Sequence, residues 1–291
     1  MELRQIEHFL AVVEHGGFTA AARAVHIVQS ALSTSIRNLE HELGSPLFER
    51  TTRRVTLSEA GQAFLPGARR VLAEAGAAAD AVRAVAGLRR GRVGIGMIQW
   101  LGPVDVPGAL AAFHRRYPGI QISVLNAPVA VLVERLRAGE LDLAYLAGDE
   151  AFPADLAARP VYREDLVLIT PPEHRWAGRE RVDWAQLDDE PILEFAEGSA
   201  VTTIVRRVSG RLGIAPRVVG QVTQVDLQLA LVRSGIGVAV AQGTLARSSA
   251  GFAVIGLDQP TTHWEVSLVS RAPGPANPAA VALREHLLPS S

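Results

Sequence analysis

Cysteine and lysine are both absent from the 291 residues, and aromatic residues make up only 5% of them. The lack of cysteine excludes disulfides, thiolate zinc sites, iron–sulfur clusters and thiol redox switching. All 29 basic residues are arginines in a chain rich in alanine and valine, which indicates a GC-biased genome, so arginine content alone says little about function. No window approaches 18 consecutive apolar residues, so the sequence predicts no membrane-spanning helix.

The chain is long enough for two or three domains, and its 48% hydrophobic residues are typical of a folded globular protein. Its formal net charge of −1 is unevenly distributed. Residues 1–92 hold 12 arginines against 9 acidic residues, and residues 93–291 hold 17 against 21. This asymmetry favours a small head that contacts nucleic acid. The charged N-terminal segment MELRQIEHFL is not a secretory signal, so we expect a cytoplasmic protein.

Two short helices joined by a tight turn are predicted between Thr19 and Leu43. In the second helix, Leu32, Ile36, Leu39 and Leu43 recur at the spacing of one apolar stripe. The other side of that helix is polar and nearly free of acid; it carries Gln29, Ser30, Ser33, Thr34, Arg37 and His41. A helix of this design can bury one face and lay the other in a DNA major groove.

A hairpin, or wing, is predicted from residues 47–50 and 54–57, which alternate around Thr51-Thr52-Arg53. Ser58 is a good N-cap for a long alanine-rich helix that runs from about residue 59 to 87. Its apolar side is continuous, and nothing else in the head can cover it. We therefore expect a partner chain to do so.

Beyond residue 92 the sequence alternates between strand and helix patterns. The predicted strands are 92–98, 121–125, 141–146, 166–170, 192–195, 218–222, 238–241 and 264–269. The predicted helices are 106–116, 129–138, 201–212, 226–233 and 278–288. This order indicates two α/β lobes with mostly parallel sheets and a cleft between them.

The segment GFTAAARAVHIVQSALSTSIRNLEHELGSPLFERTTRRVTLSEAG resembles the DNA-binding head of LysR-type transcriptional regulators. Later stretches fit the same family, including RRYPG at 115–119, LRAGELDL at 136–143 and LVRSGIG at 231–237. The resemblance spans essentially the whole chain and is highly specific over the first 61 residues.

This resemblance implies an N-terminal all-α winged helix-turn-helix, a long linker helix that forms a dimer interface, and a bilobed effector domain like a periplasmic binding protein. We predict the DNA-binding domain at 1–58, the linker helix at 59–88 and the regulatory domain at 89–291. Lobe 1 of the regulatory domain is predicted at about 89–161 and 265–291, and lobe 2 at about 162–264.

The chain departs from the family pattern at three positions. Val28 stands where Ser or Thr is usual, so the recognition helix loses its expected N-cap, worth about 1 kcal/mol. Thr34 stands where Arg is frequent, which removes a DNA contact. Gln242 stands where Pro is frequent, and we expect this change to affect loop geometry only.

The residues predicted to bind DNA come from the recognition helix and the wing. Gln29 can pair with adenine, and Ser30, Ser33 and Thr34 can reach base edges or phosphates. The remaining candidates are the phosphate-binding Arg37 and Arg50 and the minor-groove-binding Arg53 and Arg54. The alternative is a merely solvated helix face, or a solvent-exposed arginine on the wing.

The predicted effector site lies between the lobes, where helix N-termini and small hydroxyls favour a carboxylate or another anion. Its candidate residues are Gln99, Trp100, Leu101, Ala127, Pro128, Ser199, Ala200, Thr202, Thr203, Gln224 and Val225. Two bland alternatives stay open: Trp100 packs against Trp264 or a lobe surface, and Ser199 serves only as a helix cap.

Enzyme motifs are missing, because no HExxH, GxSxG or complete GxGxxG pattern occurs. We expect no catalysis, no cofactor and no metal. The expected partners are promoter DNA with inverted-repeat half-sites, a small-molecule effector and further copies of the chain, as a dimer or tetramer, with RNA polymerase as an additional candidate. Two rival hypotheses are a DNA-binding regulator without an effector and a bilobed solute-binding protein.

Overall fold

The computed structural model describes residues 1–50, 55–85, 91–148, 151–258, 260 and 262–288. Its elements fall into two compact units. We call the first unit the head and the second unit the body. The head contains α1 (Leu3–His15), α2 (Phe18–Ala24), α3 (Gln29–Leu43), β1 (Phe48–Arg50), β2 (Val55–Leu57) and α4 (Glu59–Val85).

The head is built around the apolar stripe of α3. Leu32, Ile36 and Leu39 are fully buried, as their spacing predicts, whereas Leu43 is 40% exposed. The expected stripe is therefore one turn shorter than the sequence indicates, because α3 ends at Gly44, whose φ of 71° stops the helix. Three phenylalanine rings fill the core beside this stripe. The ring centroid of Phe9 lies 5.3 Å from that of Phe48 and 5.1 Å from that of Phe64.

The body alternates helices and strands. Its helices are α5 (Val106–Arg116), α6 (Val129–Ala138), α7 (Ala200–Leu212), α8 (Val225–Arg233), α9 (Gly243–Ser248) and α10 (Pro278–Leu287), with a 3₁₀ turn at Trp184–Leu187. Its strands are β3 (Gly91–Met97), β4 (Ile120–Asn126), β5 (Leu143–Gly148), β6 (Leu156–Thr170), β7 (Arg181–Val182), β8 (Pro191–Phe195), β9 (Arg217–Val222), β10 (Ala239–Gln242), β11 (Ala253–Leu257) and β12 (His263–Arg271).

The long strand β6 divides the body into two lobes. Its first part, up to Asp165, pairs with β12, and β12 continues through β5 and β3 to β4. From Leu166 onward β6 pairs instead with β10 and β11. In the second lobe β8 pairs with β9, and Ile192 bridges to Val238 beside β10. The change of partner within one strand therefore marks where one lobe gives way to the other.

Glycine permits close helix–strand packing in the first lobe. A Cβ atom on Gly96 would lie 2.6 Å from a methyl group of Leu132 and 2.8 Å from one of Leu141. Gly96 therefore lets α6 approach β3, which gives this glycine a packing role.

Candidate DNA-binding surface and effector cavity

The polar face of α3 is presented as the sequence predicts. Gln29, Ser30, Thr34 and Arg37 are exposed, and Ser33 is half-buried. Val28 occupies the N-cap position and offers no side-chain hydrogen bond, so the first amides of α3 are not capped by it.

Arg37 is held along the same helix. Its Nη2 donates to Thr34 Oγ1 at 3.0 Å, and its Nε lies 3.4 Å from the carbonyl oxygen of Ser33. The guanidinium and the Thr34 hydroxyl therefore form one preorganised polar group at the edge of the exposed face.

Two side chains, those of Glu40 and Ser58, connect α3, the wing and the start of α4. The amides of Leu47 and Phe48 donate to Glu40 Oε1 at 2.9 and 3.3 Å. Ser58 Oγ donates to the carbonyl of Pro46 at 2.6 Å and accepts the amide of Gly61 at 3.0 Å, which confirms Ser58 as a capping residue. A Cβ on Gly61 would lie 2.1 Å from the Leu47 carbonyl oxygen, so this approach requires glycine.

His8 of α1 also contacts the recognition helix. Its Nδ1 lies 2.7 Å from Ser35 Oγ, and the residue is only 8% exposed. Burial lowers the pKa of His8 below its usual value of 6.5; nearby Glu7 acts in the opposite direction, and Arg4 lowers the pKa further.

Arg50 is the last residue of β1. The predicted DNA-binding residues Arg53 and Arg54 lie outside the described residues.

A small cavity of about 30 Å³, which opens to solvent, lies between the two lobes of the body. It is lined by Ile98, Gln99, Trp100, Ala127, Pro128, Val129, Phe195, Gly198, Ser199, Ala200, Val201, Val225, Gln242 and Trp264. Most of the lining comes from the carboxyl ends of strands and the beginnings of α6, α7 and α8, where ligands of α/β sheets usually bind, and Trp264 adds a residue from the beginning of β12. None of these lining side chains carries a charge.

Most of the predicted effector residues meet at this cavity. The structure brings together Gln99, Trp100, Ala127, Pro128, Ser199, Ala200 and Val225. Leu101, Thr202, Thr203 and Gln224 are not among the lining residues. The hydroxyl of Thr202 donates to the Phe195 carbonyl at 2.9 Å, and that of Thr203 donates to the Ser199 carbonyl at 2.9 Å.

Several polar atoms at the cavity have no hydrogen-bond partner within the described parts of the chain. They are Nε1 of Trp100, Nε1 of Trp264 and Oε1 of Gln242. Ser199 holds the N-cap position of α7, but its side chain makes no capping hydrogen bond. Buried polar atoms are normally paired, and these three belong to residues that line a cavity. Buried atoms without a partner among the described residues also occur away from it, as at Trp184 Nε1 and Ser209 Oγ.

The lobes contact each other at the rim of the cavity. Gln99 Nε2 donates to the carbonyl of Thr223. A Cβ on Gly198, whose φ is +87°, would lie 3.5 Å from Cβ of Pro128. Trp100 also packs against the apolar cluster of the second lobe, so packing and cavity lining coexist in this residue.

Sequence reasoning missed several cavity residues. Phe195 and Val201 look like ordinary core residues, and nothing in the pattern marks Trp264 as facing the cleft. Gln242 does carry a signal, because it replaces a common proline. Its side chain is 2% exposed and lines the cavity, so the expectation that this change concerns loop geometry only is incomplete.

Membrane-spanning helices and metal-binding clusters also bear on function. Within the described ranges, no helix has the length and apolarity needed to cross a membrane. Over the same residues, no three histidine, aspartate or glutamate side chains are grouped so that they could hold a metal ion.

Comparisons with known proteins agree with this architecture. Residues 3–62 match the model of the bacterial regulatory helix-turn-helix protein of the lysR family, and residues 86–290 match the LysR substrate binding domain. Together these matches define the chain as a DNA-binding transcriptional regulator with an effector-binding domain.

Individual relatives support the same assignment. The HTH-type transcriptional regulator ShiR of Corynebacterium glutamicum is 36% identical over 244 residues, which is 82% of each chain. A probable hydrogen peroxide-inducible genes activator of Streptomyces viridosporus is 36% identical over 239 residues, or 81% of this chain and 76% of that one. The crystal structure of full-length CbnR complexed with its target DNA covers 99% of each chain with a TM-score of 0.65 and 26% identity. The chain belongs to the LysR family, and it is not an enzyme.

Proposed function

We propose that the exposed face of α3 reads operator sequence through Gln29, Ser30, Ser33 and Thr34. The exposed, acid-poor surface of this helix supports the proposal, since amide and hydroxyl groups match base edges in the major groove. Arg37, which donates to Thr34, and Arg50 are proposed to bind phosphates, and Arg53 and Arg54 of the wing are proposed to enter the minor groove.

Replacing Gln29 by Ala tests the reading role. We expect the variant to lose about 1–3 kcal/mol of preference for the operator over random DNA, measured by fluorescence anisotropy of both duplexes. Salt-sensitive binding to random DNA should persist, because phosphate contacts are unchanged. Equal weakening on both duplexes would show that Gln29 does not read bases.

The effector is proposed to be a small carboxylate held in the cavity between the lobes. The carrying observation is the group of unpaired donors at an uncharged cavity, namely the indole N–H groups of Trp100 and Trp264. The N-terminus of the 13-residue α7, with the uncommitted Ser199 hydroxyl, adds a favourable dipole for an anion. An anion can thus be bound by neutral donors without a balancing arginine.

Peroxide sensing by a thiol does not fit this chain. The Streptomyces viridosporus relative is named for hydrogen peroxide induction, but this sequence contains no cysteine. Because the thiolate is the group that peroxide oxidises in cysteine-based sensors, we infer that the signal here is a bound molecule.

A thermal-shift screen of small carboxylates tests the effector proposal. A ligand that binds only the folded body raises the unfolding temperature as its concentration rises. Trp100→Phe, which removes only the indole N–H and part of the ring, should reduce the shift. If no carboxylate stabilises the body, the alternative of a DNA-binding regulator without a small-molecule effector gains support.

Self-association is proposed to use α4. Val71, Ala75, Ala78 and Val82 follow the 4-3-4 spacing of a coiled-coil seam, and Val71 and Val82 are 39% and 74% exposed. A dimer through this seam would bind inverted-repeat half-sites, and a tetramer would pair two such dimers. We propose a DNA-binding domain at 1–58, a linker helix at 59–88 that forms the dimer interface, and a regulatory domain at 89–291. We also propose a cytoplasmic location, because the protein works on promoter DNA.

A further inference from the structure

Gln242 is a buried polar residue at the cavity whose side-chain oxygen has no hydrogen-bond partner among the described residues. It ends β10, pairs through its backbone with Leu166 of β6, and is 2% exposed. Its Oε1 is buried and accepts no hydrogen bond from the part of the chain that the structure describes. A buried amide oxygen without a donor is destabilising, so its place on the cavity wall points to a donor on a bound ligand.

The start of α9 explains why this side chain is not used locally. Gln242 is the N-cap residue of α9 but makes no capping hydrogen bond. The capping role falls to Glu164 of β6, whose carboxylate accepts the Thr244 amide at 2.6 Å and the Thr244 hydroxyl at 2.8 Å. Glu164 thereby relieves Gln242 of capping and fixes the backbone two residues after it.

Glu164 also lies next to the cavity from the other side. It is 8% exposed, and on the neighbouring strand its cross-strand partner is Trp264, which lines the cavity. The carboxylate of Glu164 therefore fixes the backbone that follows Gln242, through Thr244, while the backbone of Glu164 pairs with that of Trp264. The carboxamide is held in place by the fold.

From this geometry we propose that Gln242 determines effector specificity by accepting a hydrogen bond from a hydroxyl group on the bound carboxylate, with Glu164 as its positioning residue. This inference rests on the proposed effector function. The unpaired indole donors complement the carboxylate, and the unpaired amide oxygen complements a donor elsewhere on the same molecule. The effector class is thereby narrowed to hydroxylated carboxylates.

Matched ligand pairs test this claim. Benzoate, cyclohexanecarboxylate and butyrate are each compared with their monohydroxy derivatives by calorimetric titration of the full chain. We expect at least one hydroxylated member to bind roughly ten-fold more tightly than its parent, the effect of one added hydrogen bond. Gln242→Met, which keeps the length of the side chain, should abolish that preference while leaving the affinity for the parent carboxylate within about two-fold.

Two further sets of variants separate specificity from folding. Thr244→Val removes the hydroxyl donor to Glu164 and should reduce the preference, whereas Thr244→Ser keeps that donor and should retain it. If Gln242→Met fails to fold, this pair of Thr244 variants tests whether a positioned Gln242 side chain determines the preference for hydroxylated ligands. Gln221→Met on the exposed part of β9 is the control, and it should change neither affinity.

Each outcome has a defined meaning. Equal binding of parent and hydroxylated ligands, or a preference that survives Gln242→Met, overturns the specificity role and leaves the carboxylate proposal standing. A preference that Thr244→Val leaves unchanged overturns the positioning role of Glu164. Failure of all the carboxylates to bind overturns both this inference and the proposed effector.

Discussion

A few residues in the head fix the orientation of α3 relative to the wing through close contacts. Glu40 accepts two wing amides, and Gly61 leaves no room for a methyl group beside the Leu47 carbonyl. The orientation of α3 relative to the wing therefore depends on contacts that do not touch DNA. His8, which contacts Ser35 on the inner side of α3, belongs to the same group.

The head should lose stability on acidification through His8. Because burial lowers its pKa below 6.5 in the folded state, the unfolded chain takes up a proton more readily as pH falls. This contribution to stability is complete above pH 6.5 and is lost as pH falls through the folded-state pKa. Hydrogen exchange of α1 and α3, corrected for intrinsic rates, should show protection falling below this pH.

His8→Gln provides the comparison, since glutamine can still reach Ser35 but does not titrate. Its protection should depend less on pH than that of the unmodified chain. An NMR titration that puts the His8 pKa at or above 6.5 would contradict the proposed cause.

At the residue scale, the sequence predicts a cavity residue when its residue type suits a ligand site and its place in the pattern is the start of a helix after a strand. Ser199 and Ala200 are recognisable because a hydroxyl and a small residue follow a buried strand and open a helix. Thr202 misleads, because further into the helix its hydroxyl turns back to the Phe195 carbonyl. The sequence marks Gln242 as unusual but does not predict its place on the cavity wall, because its orientation depends on the pairing of β10 with β6, which joins residues far apart in sequence.

Among the described elements, α4 carries exposed valines along the proposed dimer seam, Val71 and Val82. Val82→Asp should weaken the dimer at least ten-fold, since burying an unpaired polar group in an apolar seam costs about 1–3 kcal/mol. Sedimentation over a range of protein concentrations measures this change. Val82→Leu is the matched variant and should preserve the dimer. An unchanged dimer in Val82→Asp would assign self-association to another surface.

Two helices in the body end where the sequence places glycine or proline. The predicted bounds 106–116 and 129–138 agree with α5 and α6, because Pro118-Gly119 and Gly139 end the two patterns. The first part of β6 escapes prediction, since Arg159, Pro160 and a register shift opposite Val266/Ser267 interrupt its alternation. The six-residue α9 and the two-residue β7 are too short to carry a periodic signal.

For the whole molecule, the comparison with peroxide-inducible relatives gives a sharp prediction. Operator affinity should not change after treatment with hydrogen peroxide at concentrations that oxidise only reactive thiols, as measured by anisotropy before and after exposure. A relative that contains a sensing cysteine serves as the positive control. A reversible loss or gain of affinity would show that an oxidisable group other than cysteine governs binding.

Strand β6 runs through the place where the lobes meet, pairing with β12 before it and with β10 and β11 beyond it. Lobes that share a strand cannot separate freely, because separation would break backbone hydrogen bonds on one side of the junction or the other. The motion left to them is a bend or a change in twist of this shared strand. If the proposed effector binds in the gap, we expect it to act by a modest change of angle between the lobes, opposed by the elasticity of β6.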